Sequence, residues 1–378
     1  MIYVLMILGI GLLVFGADLL VRGASKIASE MGISSLVIGL TVVAFGTSSP
    51  EMAVSVQAAL AGNADIALGN VVGSNICNIL LILGASAVIV PLVVNVQLLK
   101  RDMPIMIGIS FMVYVMAKDG VINRYDGGVL FAGVILYTTV QILSSRKQSQ
   151  AAAPTTESFL DEVLSHDTPD QQVDLIALEK QGVHESGLGI SAAQSVIGLV
   201  LLTLGARWFV AGAVAIAEIL GVDQLVIGLT VVAVGTSLPE IATSIVAAIR
   251  GERDIAIGNV VGSNIFNLLA VLGLAAVLGP AGVRVPDAAM QFDLPVMIAV
   301  SVVCLPIFLT GREIARWEGA LFLIYYAVYT IFLVLQATQH PTLPGFMTAV
   351  GWVALPLTGL LLVVSLVRAG MNRAAARL

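Results

Sequence analysis

A chain of 378 residues that is 58% hydrophobic and 11% charged, with a mean hydropathy of +1.01, is excluded from the soluble globular class, where about 25% of residues are charged. The formal net charge of −6 is modest, and no basic tract of the kind nucleic-acid binding requires is present. The composition is that of an integral membrane protein.

A spanning helix needs about 20 mostly apolar residues. On that measure the chain offers eleven candidate spans, at 2–21, 36–60, 66–90, 103–117, 128–143, 190–216, 225–248, 255–279, 293–310, 319–337 and 346–367. The first has no basic residues ahead of it and is too long for a signal-peptide core, so it reads as a retained transmembrane helix. Segment 144–187 is polar, with acids at Glu157, Asp161, Glu162, Asp167, Asp170, Asp174, Glu179 and Glu185. It reads as a solvated linker with short amphipathic helices at 157–164 and 171–180. His166, His184 and His340 fall in loops, and Cys77 and Cys304 lie in separate apolar segments as small core residues. Neither set makes a disulfide framework or a Cys/His metal pattern, and no cofactor is expected.

Basic residues set the orientation. Arg22, Lys26, Lys100, Arg101, Arg146, Lys147, Arg250, Arg253, Arg312, Arg316, Arg368, Arg373 and Arg377 sit at alternate turns or ends, with Lys118, Arg124 and Arg284 as exceptions. The positive-inside rule then predicts an outside N-terminus, a cytoplasmic C-terminus and a cytoplasmic acidic linker.

The strongest feature is self-similarity. LVIGLTVVAFGTSSPE at 36–51 returns as LVIGLTVVAVGTSLPE at 225–240, and DIALGNVVGSNICN at 65–78 returns as DIAIGNVVGSNIFN at 254–267. From Glu51 to Glu240 and from Asn78 to Asn267 the offset is the same 189 residues, and Pro91 and Pro280 keep it. The chain is a duplication. The first motif lies on the second span and its twin on the seventh, an odd separation of five, so the halves enter the membrane in opposite senses. That is the inverted-repeat plan of many secondary transporters, whose sites sit at the midplane where helices are interrupted by Gly or Pro. The expected architecture is all-α: two inverted five-helix repeats, 1–143 and 188–340, joined by the linker 144–187. An unpaired helix and basic tail follow at 341–378.

The repeated motifs place a carboxylate beside a proline at mid-membrane depth, Glu51 after Pro50 and Glu240 after Pro239. Thr47 and Glu51 share a helix face, as do Ser74 and Asn78. The matching faces of the second copy carry Thr236, Glu240, Ser263 and Asn267. The four faces form a cavity with two carboxylates, the hydroxyls of Ser48, Ser74, Ser237 and Ser263, and two amides. Neither proline can donate to the carbonyl four residues back. Carbonyls around Ala44 to Thr47 and Ala233 to Thr236 are therefore expected to leave the helix ladder and face protein, water or an ion. The donors are all hard oxygens, which suits Ca²⁺, Mg²⁺ or Na⁺ and excludes zinc and copper as preferred cargo. Ca²⁺ takes about 6–8 oxygens in flexible geometry, whereas Mg²⁺ dehydrates reluctantly. A charge at the bilayer centre costs ~2.5–3.5 kcal/mol on insertion scales, and two facing carboxylates repel. A bound cation removes both costs. Of the remaining motif residues, Asp65 and Asp254 begin helices and suit the helix dipole. Gly69, Gly73, Gly258 and Gly262 permit close helix packing or line the site, and Asn70 and Asn259 line an access path or bond across helices.

GTSSPE with GNVVGSNICN, and GTSLPE with GNVVGSNIFN, resemble the two alpha-repeats of the cation/Ca²⁺ antiporter superfamily, and most closely its prokaryotic sodium/calcium exchangers. The resemblance covers roughly residues 1–340. It implies a ten-helix core that alternates access by sliding its first and sixth helices across the bundle. It implies that Glu51 and Glu240 are the central Ca²⁺ ligands and that Thr47 and Thr236 contribute carbonyls to Ca²⁺ and Na⁺. Ser48, Ser74, Ser237, Ser263 and the carbonyls of Ala44 and Ala233 would serve flanking Na⁺ sites, with the Asn78 amide at the centre. Exchangers of this kind carry an aspartate where this chain has Asn267. Two protons could neutralise two glutamates as Na⁺ does, so a Ca²⁺/H⁺ exchanger stands as the alternative to a Na⁺/Ca²⁺ exchanger, with a cation channel behind both. No nucleophile–base pair, HExxH or paired catalytic aspartates indicate an enzyme. The expected location is the plasma membrane, the inner membrane if the source is bacterial.

Overall fold

The computed structural model describes residues 2–152, 188–309, 311–356, 358–360, 363 and 367. The acidic segment 153–187, with its two expected short helices, His166 and His184, lies outside them, as do Arg368, Arg373 and Arg377. The first half runs α1 (Ile2–Met31), α2 (Ser35–Thr47), α3 (Ser49–Leu60), α4 (Ile66–Ile89), α5 (Met103–Met116) and α6 (Arg124–Ala152). The second runs α7 (Leu188–Ile219), α8 (224–236), α9 (Leu238–Ile249), α10 (Arg253–Leu278), α11 (Ala289–Leu309) and α12 (Arg316–Ala337), followed by α13 (Leu343–Ala349).

Among the described residues seven helices are long and apolar enough to cross a membrane, or nine if each bent pair, α2 with α3 and α8 with α9, counts as one. The sequence leads one to expect eleven, and two candidates fall outside this number for different reasons. The helix that contains span 103–117 is preceded by a wide turn, Leu98–Asp102, that carries Lys100, Arg101 and Asp102, which leaves 14 residues from Met103 to Met116 as its apolar stretch. Span 346–367 is described only in part. Cys77 and Cys304 are free and buried, as expected of small core residues, and His340 is an exposed turn residue bonded to Thr342.

The two halves are locked together at α1 and α7. A Cβ on Gly16 would lie 2.8 Å from the Gly198 carbonyl oxygen, and one on Gly9 2.9 Å from that of Gly205. Gly23 faces Ser191 and Ser195, while Gly212 faces Met6. The partner number falls as the residue number rises, so the helices run antiparallel, backbone against backbone. This is how small residues drive helix association where lipid supplies no hydrophobic force. Gly198→Leu should therefore lower the melting temperature of the purified protein, by an overpacking cost of ~1–3 kcal/mol or more. Gly11→Leu, on α1 with nothing within 4 Å, should leave it unchanged. Equal effects would contradict the packing account.

Two short ribbons tie the loops. β1 (Leu92–Val93) pairs antiparallel with β4 (Glu313–Ile314), and β2 (Val121–Ile122) with β3 (Val283–Arg284). The centre of the molecule is built from α4 and α10. Along their apolar stretches 72% and 89% of residues are buried, against 33% or fewer in the other five unbroken spans. These are the helices that carry the GNVVGSN motifs.

Candidate cation site

The GTSxPE motifs break their helices. α2 meets α3 at 46° and α8 meets α9 at 59°, with Ser48 and Ser237 at the joints. Pro50 and Pro239 stand in the first turn of the restarted helices, where a missing N–H costs nothing. Glu51 and Glu240 follow in that same first turn, at the end of the helix dipole that favours a carboxylate. Both are fully or almost fully buried, at 0% and 1% exposure.

The two repeats complete each other. Ser48 Oγ donates to Glu240 Oε1 at 3.2 Å, and Ser237 Oγ donates to Glu51 Oε1 at 3.3 Å. Asn70 Nδ2 donates to Ser55 Oγ at 2.9 Å and to the Glu51 carbonyl at 3.3 Å. Asn259 Nδ2 does the same to Ser244 Oγ at 2.9 Å and to the Glu240 carbonyl at 3.4 Å. These asparagines therefore bond across helices. On the two central helices Asn78 Nδ2 donates to Asn264 Oδ1 at 2.9 Å, and Asn267 Nδ2 to Asn75 Oδ1 at 3.1 Å. Wide π-type turns follow at once, Asn78–Leu83 and Asn267–Val271, a local geometry frequent at functional sites.

One consequence of this pairing is chemical. Eight side-chain polar atoms among the described residues are buried without a hydrogen-bond partner, and four of them, Glu51 Oε2, Glu240 Oε2, Asn78 Oδ1 and Asn267 Oδ1, pair at the 189-residue offset. Buried polar atoms are ordinarily satisfied, and each exception calls for a reason. All four are acceptors and all belong to the repeated motifs. No cluster of three or more His, Cys, Asp or Glu exists among the described residues. The donor set is two carboxylates among neutral oxygens, which fits hard cations.

Of the residues singled out in the sequence, Glu51, Glu240, Ser48, Ser237, Ser74, Ser263, Asn78, Asn267 and Thr47 are all buried. Ser74 Oγ sits 3.4 Å from Ser237 Oγ, and Ser263 Oγ 3.5 Å from Thr47 Oγ1. The expected release of backbone carbonyls needs correction. The Ala44 carbonyl keeps its ladder bond from Ser48 N–H at 3.0 Å and takes Thr47 Oγ1 at 3.4 Å. Ser48 lies upstream of the proline, so its amide still reaches back a full turn. In the second repeat, at the sharper bend, Ser237 N–H turns to Val234 at 3.1 Å, and the Ala233 carbonyl receives Thr236 Oγ1 at 3.4 Å.

This difference is part of a larger asymmetry. A Cβ on Gly258 would lie 2.9 Å from the Leu36 carbonyl oxygen, and one on Gly262 2.7 Å from that of Leu40. α2 is thus seated on α10, and Thr47 Oγ1 donates to Asn259 Oδ1 at 3.0 Å. The corresponding glycines of α4, Gly69 and Gly73, meet nothing within 4 Å, and Thr236 is partly exposed. α8 stands away from α4. Packing is tight on the α2 side and looser on the α8 side. On the tight side Ser25 Oγ also donates to Glu252 at 2.6 Å, and Arg250 pairs with Asp18.

Sequence reasoning missed two groups. Asn75 and Asn264 bond directly to the singled-out amides, and their place inside the repeated GSNIxN motif was the available signal. Away from the site, Tyr137 and Gln141 bond to buried Asp102, and Tyr329 bonds to Asp293. These ties join α6 to the residue preceding α5, and α12 to α11. They do not keep the 189-residue offset, so the repeat did not mark them.

The chain is similar to known proteins over most of its length. A family model described as sodium/calcium exchanger protein matches residues 1–143 and 190–335. The sodium/calcium exchanger MaX1 of Methanosarcina acetivorans is 35% identical over 355 residues, 88% of this chain and 98% of that protein. The inner membrane protein YrbG of Escherichia coli is 38% identical over 299 residues, 79% of this chain and 86% of that protein. The fold matches the sodium-calcium exchanger NCX_Mj, soaked with Na⁺ and Sr²⁺, with a TM-score of 0.70 at 31% identity, covering 87% of this chain and 97% of that one. With a duplicated site of buried hard oxygens and these matches over most of its length, the chain belongs to the sodium/calcium exchanger family of cation/Ca²⁺ antiporters, as a multi-pass integral membrane protein.

Proposed function

We propose that this chain exchanges Ca²⁺ for Na⁺ by alternating access at the cage formed by Glu51, Glu240, Asn78 and Asn267. The observation that carries the reading is the set of four buried acceptor oxygens without donors, two from each repeat. A cation supplies what no protein donor does. Glu51 and Glu240 hold Ca²⁺ with the two amide oxygens. Ser48, Ser74, Ser237, Ser263, Thr47 and Thr236, with the Ala233 carbonyl, serve the monovalent ions that replace it.

The inverted arrangement of the repeats draws support from the antiparallel α1 and α7. It also draws support from the ribbons, since β1 pairs with β4 and β2 with β3, while β1 and β3 hold equivalent places in the two halves. Equivalent loops thus belong to different ribbons, as they must when the halves point opposite ways. With the N-terminus outside, the looser α8 side faces outward and the tight α2 side faces the cytoplasm. The tight α1–α7 pair is the natural moving unit, and the second access state is the mirror of the first: α8 seated on α4, α2 lifted from α10.

The second reading is Ca²⁺/H⁺ exchange. It is favoured by Asn267, which leaves two carboxylates in the cage, a charge two protons would also cancel. Vesicles reconstituted with the chain separate these readings. Na⁺-loaded vesicles placed in Na⁺-free medium should accumulate Ca²⁺ at constant pH, and K⁺-loaded vesicles should not. Uptake driven only by an outward proton gradient would transfer the coupling to H⁺. Ca²⁺ flux that needs no counter-ion would make the chain a channel.

A further inference from the structure

Resting on that reading, we propose that Asn75 and Asn264 are positioning residues that fix the two central amides with their carbonyl oxygens toward the cation, and so make positions 78 and 267 neutral oxygen ligands.

A lone asparagine side chain presents oxygen or nitrogen to a site with nearly equal ease, since the two ends of the amide have the same shape. A cation site needs the oxygen. In this chain the choice is forced by a crossed pair. Asn267 Nδ2 donates to Asn75 Oδ1 at 3.1 Å, and Asn78 Nδ2 donates to Asn264 Oδ1 at 2.9 Å. The bracing amides are themselves tied down. Asn75 Nδ2 donates to the Asn264 carbonyl at 3.2 Å and lies 3.8 Å from Met297 Sδ, and Asn264 Nδ2 lies 3.6 Å from Met106 Sδ. All four asparagines are at most 2% exposed, so water does not compete for these bonds. Turning the Asn267 amide over would set its Oδ1 against Asn75 Oδ1, acceptor on acceptor. The same clash guards Asn78.

The cost of this arrangement is visible in the same atoms. With both amide nitrogens committed to the braces, Asn78 Oδ1 and Asn267 Oδ1 are left buried with no donor. A buried acceptor without a partner destabilises the site that holds it. A network that holds two such oxygens apart from every donor is arranged for a ligand that brings positive charge. It also excludes a carboxylate at 267. An ionised Asp there would face the Asn75 acceptor with no proton to share.

The test is a pair of double-mutant cycles read by Ca²⁺ binding to the full-length purified protein, followed as the rise in melting temperature with Ca²⁺ concentration. Asn75→Ala should raise the half-saturating Ca²⁺ concentration about tenfold, the equivalent of one lost satisfied bond to a charged-site ligand. The same substitution in an Asn267→Ala background should change it less than about twofold, because its partner is already gone. Asn264→Ala and Asn78→Ala make the second cycle with the same criterion, and they serve where an Asn75 variant does not fold. Equal losses in both backgrounds would overturn the inference and leave Asn75 and Asn264 as structural bonds. Wild-type Ca²⁺ binding retained by both Glu51→Gln and Glu240→Gln would instead remove the cage itself. The two failures are therefore distinguishable.

Discussion

Glu51→Gln and Glu240→Gln should each reduce Ca²⁺ exchange at least about 100-fold in reconstituted vesicles, since close charge pairs are worth ~1.5–7 kcal/mol. The size follows from where the carboxylates sit. Both are buried, each is tethered at Oε1 by a serine of the opposite repeat, and each leaves Oε2 without a donor. Glutamine keeps the shape and the Oε1 bond but removes the charge that a divalent ion must meet. The ion-free protein should be no less stable in either variant, because the substitution relieves a buried charge of its desolvation cost. The measurement is paired: melting temperature without Ca²⁺, and initial uptake under a Na⁺ gradient. A variant that melts like the wild type and does not transport Ca²⁺ supports the cage. A variant that transports at the wild-type rate would move the site elsewhere.

Gly73→Leu should leave the fold and Ca²⁺ binding intact and yet cut exchange by at least about tenfold, the kinetic equivalent of an overpacking cost of ~1–3 kcal/mol. In the structure nothing lies within 4 Å of a Cβ at Gly73 or Gly69, so the first carbon of a side chain meets open space, and replacing a helical glycine favours the helix by up to ~1 kcal/mol. The penalty belongs to the other access state. Gly258 and Gly262, the same positions in the second repeat, lie against the Leu36 and Leu40 carbonyls. The matching residues of α8 are Leu225 and Leu229, at the 189-residue offset. When α8 closes on α4 these carbonyls must approach Gly69 and Gly73 as closely. A leucine there prevents closure without disturbing the open state. Gly262→Leu should act in the opposite direction, by prising α2 from α10 in the state seen here, and should lower stability as well as exchange. Full exchange by a folded Gly73→Leu protein would show that the second state is not the mirror of the first.

Much of this was legible in the sequence because the duplication wrote it twice. A buried carboxylate beside a proline is ambiguous once; at a fixed offset from an identical copy it marks a site. The repeats named Ser48 with Glu240 and Ser237 with Glu51, which bond to one another in the structure, and Asn78 and Asn267, which bond to Asn264 and Asn75. What the sequence could not give was the state of the molecule. The two copies are nearly identical from Leu36 to Glu51 and from Leu225 to Glu240, yet one is seated and the other stands open, since two conformers of one sequence motif differ in packing and not in residues. That is also why the Ala44 carbonyl keeps the Ser48 amide while the Ser237 amide turns to Val234. The proline removes one donor in each copy, but the upstream amide of Ser48 or Ser237 responds to the local bend. Asn75 and Asn264 went unread for a different reason. Their role is to bond to another side chain across the axis between repeats, a relation that spacing along one helix does not express. The ties at Asp102 and Asp293 fall off the repeat register and had no such marker.

In the proposed exchange one oxygen cage is occupied in turn by Ca²⁺ and by the ion exchanged for it. The direct measurement is Ca²⁺ binding to the purified wild-type chain at increasing Na⁺ and constant ionic strength and pH. The half-saturating Ca²⁺ concentration should climb steadily with Na⁺ while the number of Ca²⁺ sites stays the same, and Glu51→Gln with Glu240→Gln together should abolish the binding. Ca²⁺ affinity that is indifferent to Na⁺ would contradict it.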